Sequence, residues 1–312
     1  MRPIPPLRLC VVPPISGAGR GLVVGLPLTA ADLTHRAGVA RRKVTRALEG
    51  ARRTGLTVVA LGGLLAQPWW SALIAREGRV RTVTGEGLAI IAVADALGAL
   101  AGARLPDWRV GVVVGPAGRL AAETLAVWLA RIVGQVALFG PRPALEGIAD
   151  RILGDSGLVA EVNVAPPGPR SREIDGSRPV DALCLFGPLP AGSEGAVGDE
   201  TVVIDMDPGA GMVAPTLRPG WRIHRVRVGL PWPGRAAPRA ARLFPAEGDP
   251  AGPGIRLLPP SLAEAILEAG AETGPTQPSI RRVERLAAIA RRRKTVAGRL
   301  CAAEPGRQPG SG

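Results

Sequence analysis

Tyrosine is absent from the 312 residues, phenylalanine occurs three times, and only two lysines and two histidines are present. The three cysteines, Cys10, Cys184 and Cys301, are too few and too widely spaced for a disulfide scaffold or a cysteine-rich zinc site. With His35 and His224 the only histidines, a protein-ligated structural metal is disfavoured. Neither histidine has a serine or cysteine motif beside it, which argues against a hydrolytic triad. Long apolar runs are also lacking. Leu88–Leu105 carries Asp95 and is interrupted by small residues, so it falls short of a membrane span, and the apolar start of the chain is broken by Pro13 and Pro14 before it reaches the length of a secretory h-region. A soluble, cytoplasmic protein is the expectation.

What is present supports a folded core. Hydrophobic residues make up 46% and charged residues 21%, which excludes disorder throughout. The 42 glycines and 32 prolines lack a collagen-like period and are scattered between apolar runs. The formal charge is +13, yet 37 of the 39 basic residues are arginine, and beside abundant Ala, Gly and Pro this reads as a drift in composition. Between Arg281 and Arg299 eight basic residues face one acidic one, a local +7.

Along the chain, Gly21–Leu26 and Thr57–Leu61 are β-rich and flank an amphipathic stretch, Ala30–Thr54, so a βαβ pattern is predicted there. A short helical segment after Trp70, a strand at Val80–Val83, a turn at Gly85 and an apolar helix from Gly87 to Ala101 complete a first α/β unit, residues 1–106. The second, 107–254, opens with the continuous apolar strand Trp108–Val114, which suits a parallel sheet covered on both faces. It runs into the turn Gly115–Gly118, a helix over Leu120–Val133 and a strand over Gln135–Phe139. Strand, glycine turn, helix and strand within about thirty residues form a mononucleotide-binding half of a Rossmann fold. Further strands are predicted at Leu158–Val162, Asp181–Phe186, Thr201–Asp205 and Ile223–Val228. Residues 255–300 are read as helices, Ser261–Ala271 and Ser279–Leu300, and 301–312 as a frayed tail. The expected fold class is α/β: an N-terminal α/β substrate domain, a Rossmann-type doubly wound parallel sheet, and C-terminal helices returning to the first domain.

The turn is the main chemical signal. Gly115, Ala117, Gly118, Arg119 and Leu120 lie where a bend and a helix N-terminus would meet a pyrophosphate, although the spacing is G-x-x-G-x-x-A and Pro116 removes a donor. After the next strand no carboxylate stands where NAD would need one. Arg142 is suited to a 2′-phosphate, favouring NADP over NAD, and a solvated loop arginine is the equally simple alternative. Gly187 lies at the strand edge where a nicotinamide would rest. Asp205 and Asp207 are read as an Asx turn into Pro208 before any acid–base role. Cys184 is read as a small buried hydrophobe.

The segments Val23–Thr29, Val59–Gly63, Val83–Gly87, Val112–Gly118 and Val202–Asp205, with Ser261–Leu267 and Val283–Ile289 at the far end, occur in one order. In that order they resemble the cyanobacterial-type long-chain acyl-(acyl-carrier-protein) reductases and related bacterial shikimate and amino-acid dehydrogenase-like proteins. The resemblance implies reduction of an acyl thioester held on a cysteine, by hydride from NADP(H), with a small-molecule or carrier-bound substrate and the C-terminal helices packed on the first domain. This chain has Ser261 in place of that cysteine. The resemblance also makes Thr84 and Glu86 candidates for the pocket, Glu86 standing where many relatives carry Asn. Ser261–Glu264 reads first as a capping box, the hydroxyl capping its own helix and Glu264 reaching back, ahead of any catalytic role.

The sequence thus leads to an NADP(H)-dependent oxidoreductase acting on a carbonyl or acyl substrate in an interdomain cleft. The alternative is a catalytically inactive nucleotide-binding relative with a regulatory or structural role. Nucleic-acid binding through Arg281–Arg299 is disfavoured for want of interleaved aromatics, and a homo-oligomer is left open.

Overall fold

A computed structural model describes residues 7–12, 21–26, 28, 30–53, 55–61, 65, 68–78, 80–115, 118–164, 179–190, 193–206, 223–231, 255–269, 279–292 and 298–302. In chain order the elements begin with β1 (Leu7–Val12), β2 (Gly21–Gly25), α1 (Ala30–His35), α2 (Ala37–Arg53), β3 (Val58–Ala60), α3 (Pro68–Gly78), β4 (Arg81–Val83) and α4 (Glu86–Ala101). They continue with β5 (Arg109–Val113), α5 (Arg119–Leu129), β6 (Gln135–Gly140), α6 (Arg142–Ser156), β7 (Glu161–Val164), β8 (Val180–Leu185), β9 (Val197–Asp205) and β10 (Ile223–Pro231). The last are β11 (Ile255–Leu258), α7 (Pro260–Glu268), α8 (Ile280–Arg292) and β12 (Gly298–Ala302).

Two compact units form. The first comprises 1–88, 228–277 and 285–297; the second comprises 89–227, 278–284 and 298–312. In the first, β3 and β4 pair in parallel, while β1 and β2 form a separate antiparallel ribbon. The predicted βαβ arrangement of the Gly21 and Thr57 strands is therefore corrected: β2 takes its hydrogen bonds from β1 instead of from the sheet that β3 joins. Leu33, Ala40, Val44, Leu48, Leu61, Trp70, Ile74 and Val80 make one core cluster of this unit, drawn from α1, α2, α3 and the segments beside β3 and β4.

In the second unit six parallel strands lie in the order β10-β9-β8-β5-β6-β7, flanked by helices. All five residues of β5 are buried, as a central strand covered on both faces requires. Its first residue, Arg109, donates its backbone N–H to Asp181 Oδ2 at 2.7 Å and pairs its side chain with Glu161 Oε2 at 2.6 Å. Helix α6, which periodicity did not reveal, has conventional ends: prolines at Pro141 and Pro143, and Gly157 at φ +73°, whose N–H reaches Leu153 O at 2.9 Å. Because this terminus consumes Gly157, β7 begins at Glu161 instead of Leu158. Arg131 ties the ends of three helices in this unit. It makes a two-pronged pair with Asp155 (2.7 and 2.8 Å) and a bond to Glu284 at 2.9 Å, and it lies over the Trp128 ring. That guanidinium holds the Asp155 carboxyl below its ordinary value.

Helix α4 is apolar on nearly every side, with Leu88, Ile90, Ala92, Val93 and Leu97 fully buried, the pattern of a helix inside a core. With the turn that follows it, Glu86–Asp107 is long and apolar enough to cross a membrane by length and composition, and half of its most apolar window is buried inside the protein.

Two further corrections fall at the C-terminal end. Helix α8 is described over Ile280–Arg292, and Gly298–Ala302, expected as the end of that helix and the start of a frayed tail, form β12 against β10. Strand β11, inside the region expected to hold only helices, pairs antiparallel with Val228–Pro231. Both are short and of ordinary composition, and only a partner strand makes them visible.

Cys184 packs on β8 with no exposed surface, and burial pushes its thiol up to about 12. Consequently, a variant retaining Cys184 alone (Cys10→Ser, Cys301→Ser) is expected to resist a thiol-specific disulfide reagent at mildly alkaline pH while folded and to react at once in denaturant. Prompt reaction of the native protein would contradict this burial.

Candidate functional site

The predicted site residues fall into two groups, each inside one unit. In the second unit the chain leaves β5 toward β6 and β7 on one side, and the later strands β8, β9 and β10 lie on the other. Numbered from β5, the order is 3-2-1-4-5-6, with the topological switch between β5 and β8. Open α/β sheets form their ligand crevice at the carboxyl ends of such strands.

At that edge the backbones are unusually close. Gly115 follows β5, Phe186 and Gly187 follow β8, and Gly140 ends β6 at φ +152°. A β-carbon on Gly115 would lie 3.1 Å from Gly187 Cα and collide with the carbonyl of Phe186. One on Gly140 would lie 2.9 Å from Val114 O. Phe186 N–H donates to Val113 O at 3.2 Å, Val114 N–H to Phe139 O at 2.8 Å, and Met206 N–H to Leu185 O at 3.0 Å, which fixes the four strand ends in one register.

Gly118 is the N-cap of α5, and no side chain caps the helix there. The amides of Arg119, Leu120 and Ala121 have no intrahelical acceptor by construction, so they form a donor set at the positive end of the helix. The side chains of Arg119 and Leu120 are exposed. The free direction of Gly118, however, points at Phe186: a β-carbon there would meet Phe186 Cβ at 2.9 Å and Cδ1 at 3.0 Å. Both glycines therefore make room for the β8 loop, and an anion at this turn would be held by the amides of α5. Arg142 is the first residue of α6, its side chain 70% exposed and 3.4 Å from Glu146, so it is available at the end of β6. Ala117 lies outside the described residues, as does Asp207. Asp205, by contrast, is an ion-pair partner of Arg225 on the neighbouring strand at 3.6 Å.

The first unit brings together Thr84, Glu86 and Ser261. Thr84 and Glu86 flank Gly85, which sits at φ +88° in the turn between β4 and α4. A β-carbon on Gly85 would stand 2.5 Å from Ser261 Cα and 2.6 Å from the carbonyl carbon of Pro260, so this turn rests directly on the start of α7. All three candidate side chains are half-buried.

The capping-box reading is corrected. Helix α7 starts at Pro260, its N-cap is Pro259 without a side-chain cap, and Ser261 is already inside the helix. Glu264 is buried and its Oε2 accepts the N–H of Leu88 at 2.8 Å, so this carboxylate caps α4 instead of its own helix. Sequence reasoning took the Ser–Glu spacing as local. Its signal as a cross-chain cap was the pair of glycines around Glu86, which leaves the start of α4 with no side chain of its own to spare at those two positions.

One turn further along α7, Glu268 is fully buried and joins Arg81 Nε of β4 at 3.3 Å and Arg285 of α8 at 3.4 Å. Arg81 also donates to the Glu268 carbonyl at 2.7 Å. This ion cluster ties β4, α7 and α8 together within the first unit. Among the described residues no group of three or more His, Cys, Asp or Glu is placed to hold a metal ion.

Comparison with protein-family models, with curated proteins and with solved structures finds no match to the chain. The resemblance to acyl reductases therefore rests on the sequence motifs themselves.

Proposed function

We propose that the second unit binds NADP(H) and that the protein is an NADP(H)-dependent oxidoreductase acting on a carbonyl or acyl substrate. The observation that carries this reading is the 3-2-1-4-5-6 strand order with an uncapped helix N-terminus at its switch point. The α5 amides of Arg119, Leu120 and Ala121 would take the diphosphate, Gly187 would lie beneath the nicotinamide, and Arg142 would meet the 2′-phosphate. The coenzyme supplies the hydride. The protein's part is to hold it against the substrate away from water.

A second reading, a nucleotide-binding protein without turnover, is favoured by the first unit. Ser261 lies within α7, Glu264 Oε2 accepts the amide of Leu88, and among the described residues no hydrogen bond joins the Ser261 hydroxyl to a base. Single-turnover assays of NADPH with acyl thioesters and aldehydes separate the two. Hydride loss on either substrate class supports the oxidoreductase, and saturable binding without oxidation supports the second reading. In either case Arg142→Ala is expected to weaken NADPH about tenfold while leaving NADH unchanged. Equal effects on both coenzymes would remove Arg142 from the site.

A further inference from the structure

The net charge of the chain lies wholly in the first unit, which carries 22 basic and 9 acidic residues, a net +13, whereas the second carries 17 basic and 17 acidic, a net of zero. A drift toward arginine would load both alike. In the second unit each basic residue is matched in number by a carboxylate, and in the first it is not, so composition alone does not explain the surplus.

The +7 run near the C-terminus is not its main outlet. On α8, Arg282 is buried and Arg285 is engaged with Glu268. Helix α2 is a better one, with Arg41, Arg42, Lys43, Arg46, Arg52 and Arg53 against the single acid Glu49. Its buried residues are Ala40, Val44 and Leu48, while Arg42, Arg46 and Arg53 are exposed. Spacings of four and seven place those three arginines on one stripe, opposite the buried face and about 16 Å long, with the exposed Glu49 between Arg46 and Arg53 as the one acid among them. Arg41 is paired with Glu77. Among the described residues Arg42, Arg46 and Arg53 have no carboxylate partner.

We propose that this face of α2 binds the phosphodiester backbone of a nucleic-acid duplex without reading its bases. Guanidinium groups match phosphate oxygens in two-pronged fashion, and a row of them at helical spacing needs no base contact. The stripe carries no aromatic side chain on which unpaired bases could stack, which sets single strands aside. The apolar face of α2 is used inside the unit, so it is not free to enter a lipid surface. An exposed apolar anchor of the kind that dominates protein interfaces is also missing from the stripe. This inference is independent of the redox reading.

The test is fluorescence anisotropy of the full chain with a labelled DNA duplex of about 24 base pairs and arbitrary sequence, between about 50 and about 200 mM salt. Binding should be indifferent to sequence and should weaken steeply with salt. The triple variant Arg42→Ala, Arg46→Ala, Arg53→Ala should reduce the slope of log K against log salt by about 3 and the low-salt affinity at least about tenfold. The corresponding triple lysine variant should retain both, which separates loss of charge from loss of fold. Arg104→Ala, on an exposed turn of the second unit, should change neither. The proposal is overturned if the duplex is not retained at about 50 mM salt, or if the triple alanine variant keeps the wild-type slope. It is also overturned if polyglutamate displaces the label as well as unlabelled duplex does at equal charge, since the stripe would then belong to an acidic protein partner.

Discussion

Gly85→Ala is expected to destabilise the first unit by about 3 kcal/mol or more, among the largest effects of any single methyl group in this chain. Two costs add. The residue holds φ +88°, where a β-carbon is strained, and the added atom would meet the Ser261 and Pro260 backbone, which cannot swing aside as a flexible side chain can. Gly85→Asn separates them. Asparagine tolerates the left-handed conformation well, so if conformation alone mattered it would be mild, whereas close approach to α7 makes it at least as damaging as alanine. Hydrogen exchange over 81–88 and 259–268 reads the effect locally, and protection within a factor of a few of wild type would show that the turn and α7 are not in contact.

Glu268→Ala should cost about 3–5 kcal/mol, because it leaves the largely buried Arg81 without its carboxylate and removes a partner of the more exposed Arg285. The worth of the pair itself is smaller than that loss. A double-mutant cycle with Arg81→Ala should therefore give a coupling of about 1.5 kcal/mol or more, the second truncation being much cheaper once the first has been made. Strict additivity of the two changes in chemical denaturation would show that the ions are solvated and do not bind β4 to α7.

Elements with a strong period or uninterrupted burial were legible from the sequence. The run Arg109–Val113 reads as a central strand because all of its side chains are apolar or masked by partners, and α4 reads as a core helix for the same reason. The turn at Gly115 is legible from its own glycines, set between that strand and the helix over Leu120–Val133. What escaped was set by partners distant in the chain. Strand β1 is visible only through β2, and β12 only through β10, since short strands take their stability from the neighbour. The site shows the same division. Thr84, Glu86 and Ser261 were singled out separately, and the structure brings them together through Gly85. The role of Glu264 was misjudged because an amide 176 positions away is a better-placed donor than those of its own helix. The filling of the Gly118 direction by Phe186 also depends on a crossover that no local pattern reports.

The most direct test of the coenzyme reading is backbone hydrogen exchange with and without saturating NADPH. If α5 takes the diphosphate, exchange slows at the amides of 118–122 at its head, with a smaller change at 186–189 beside it and a weaker response to NADH. Unchanged exchange at 118–122 under NADPH, or protection appearing only in other parts of the chain, would contradict it.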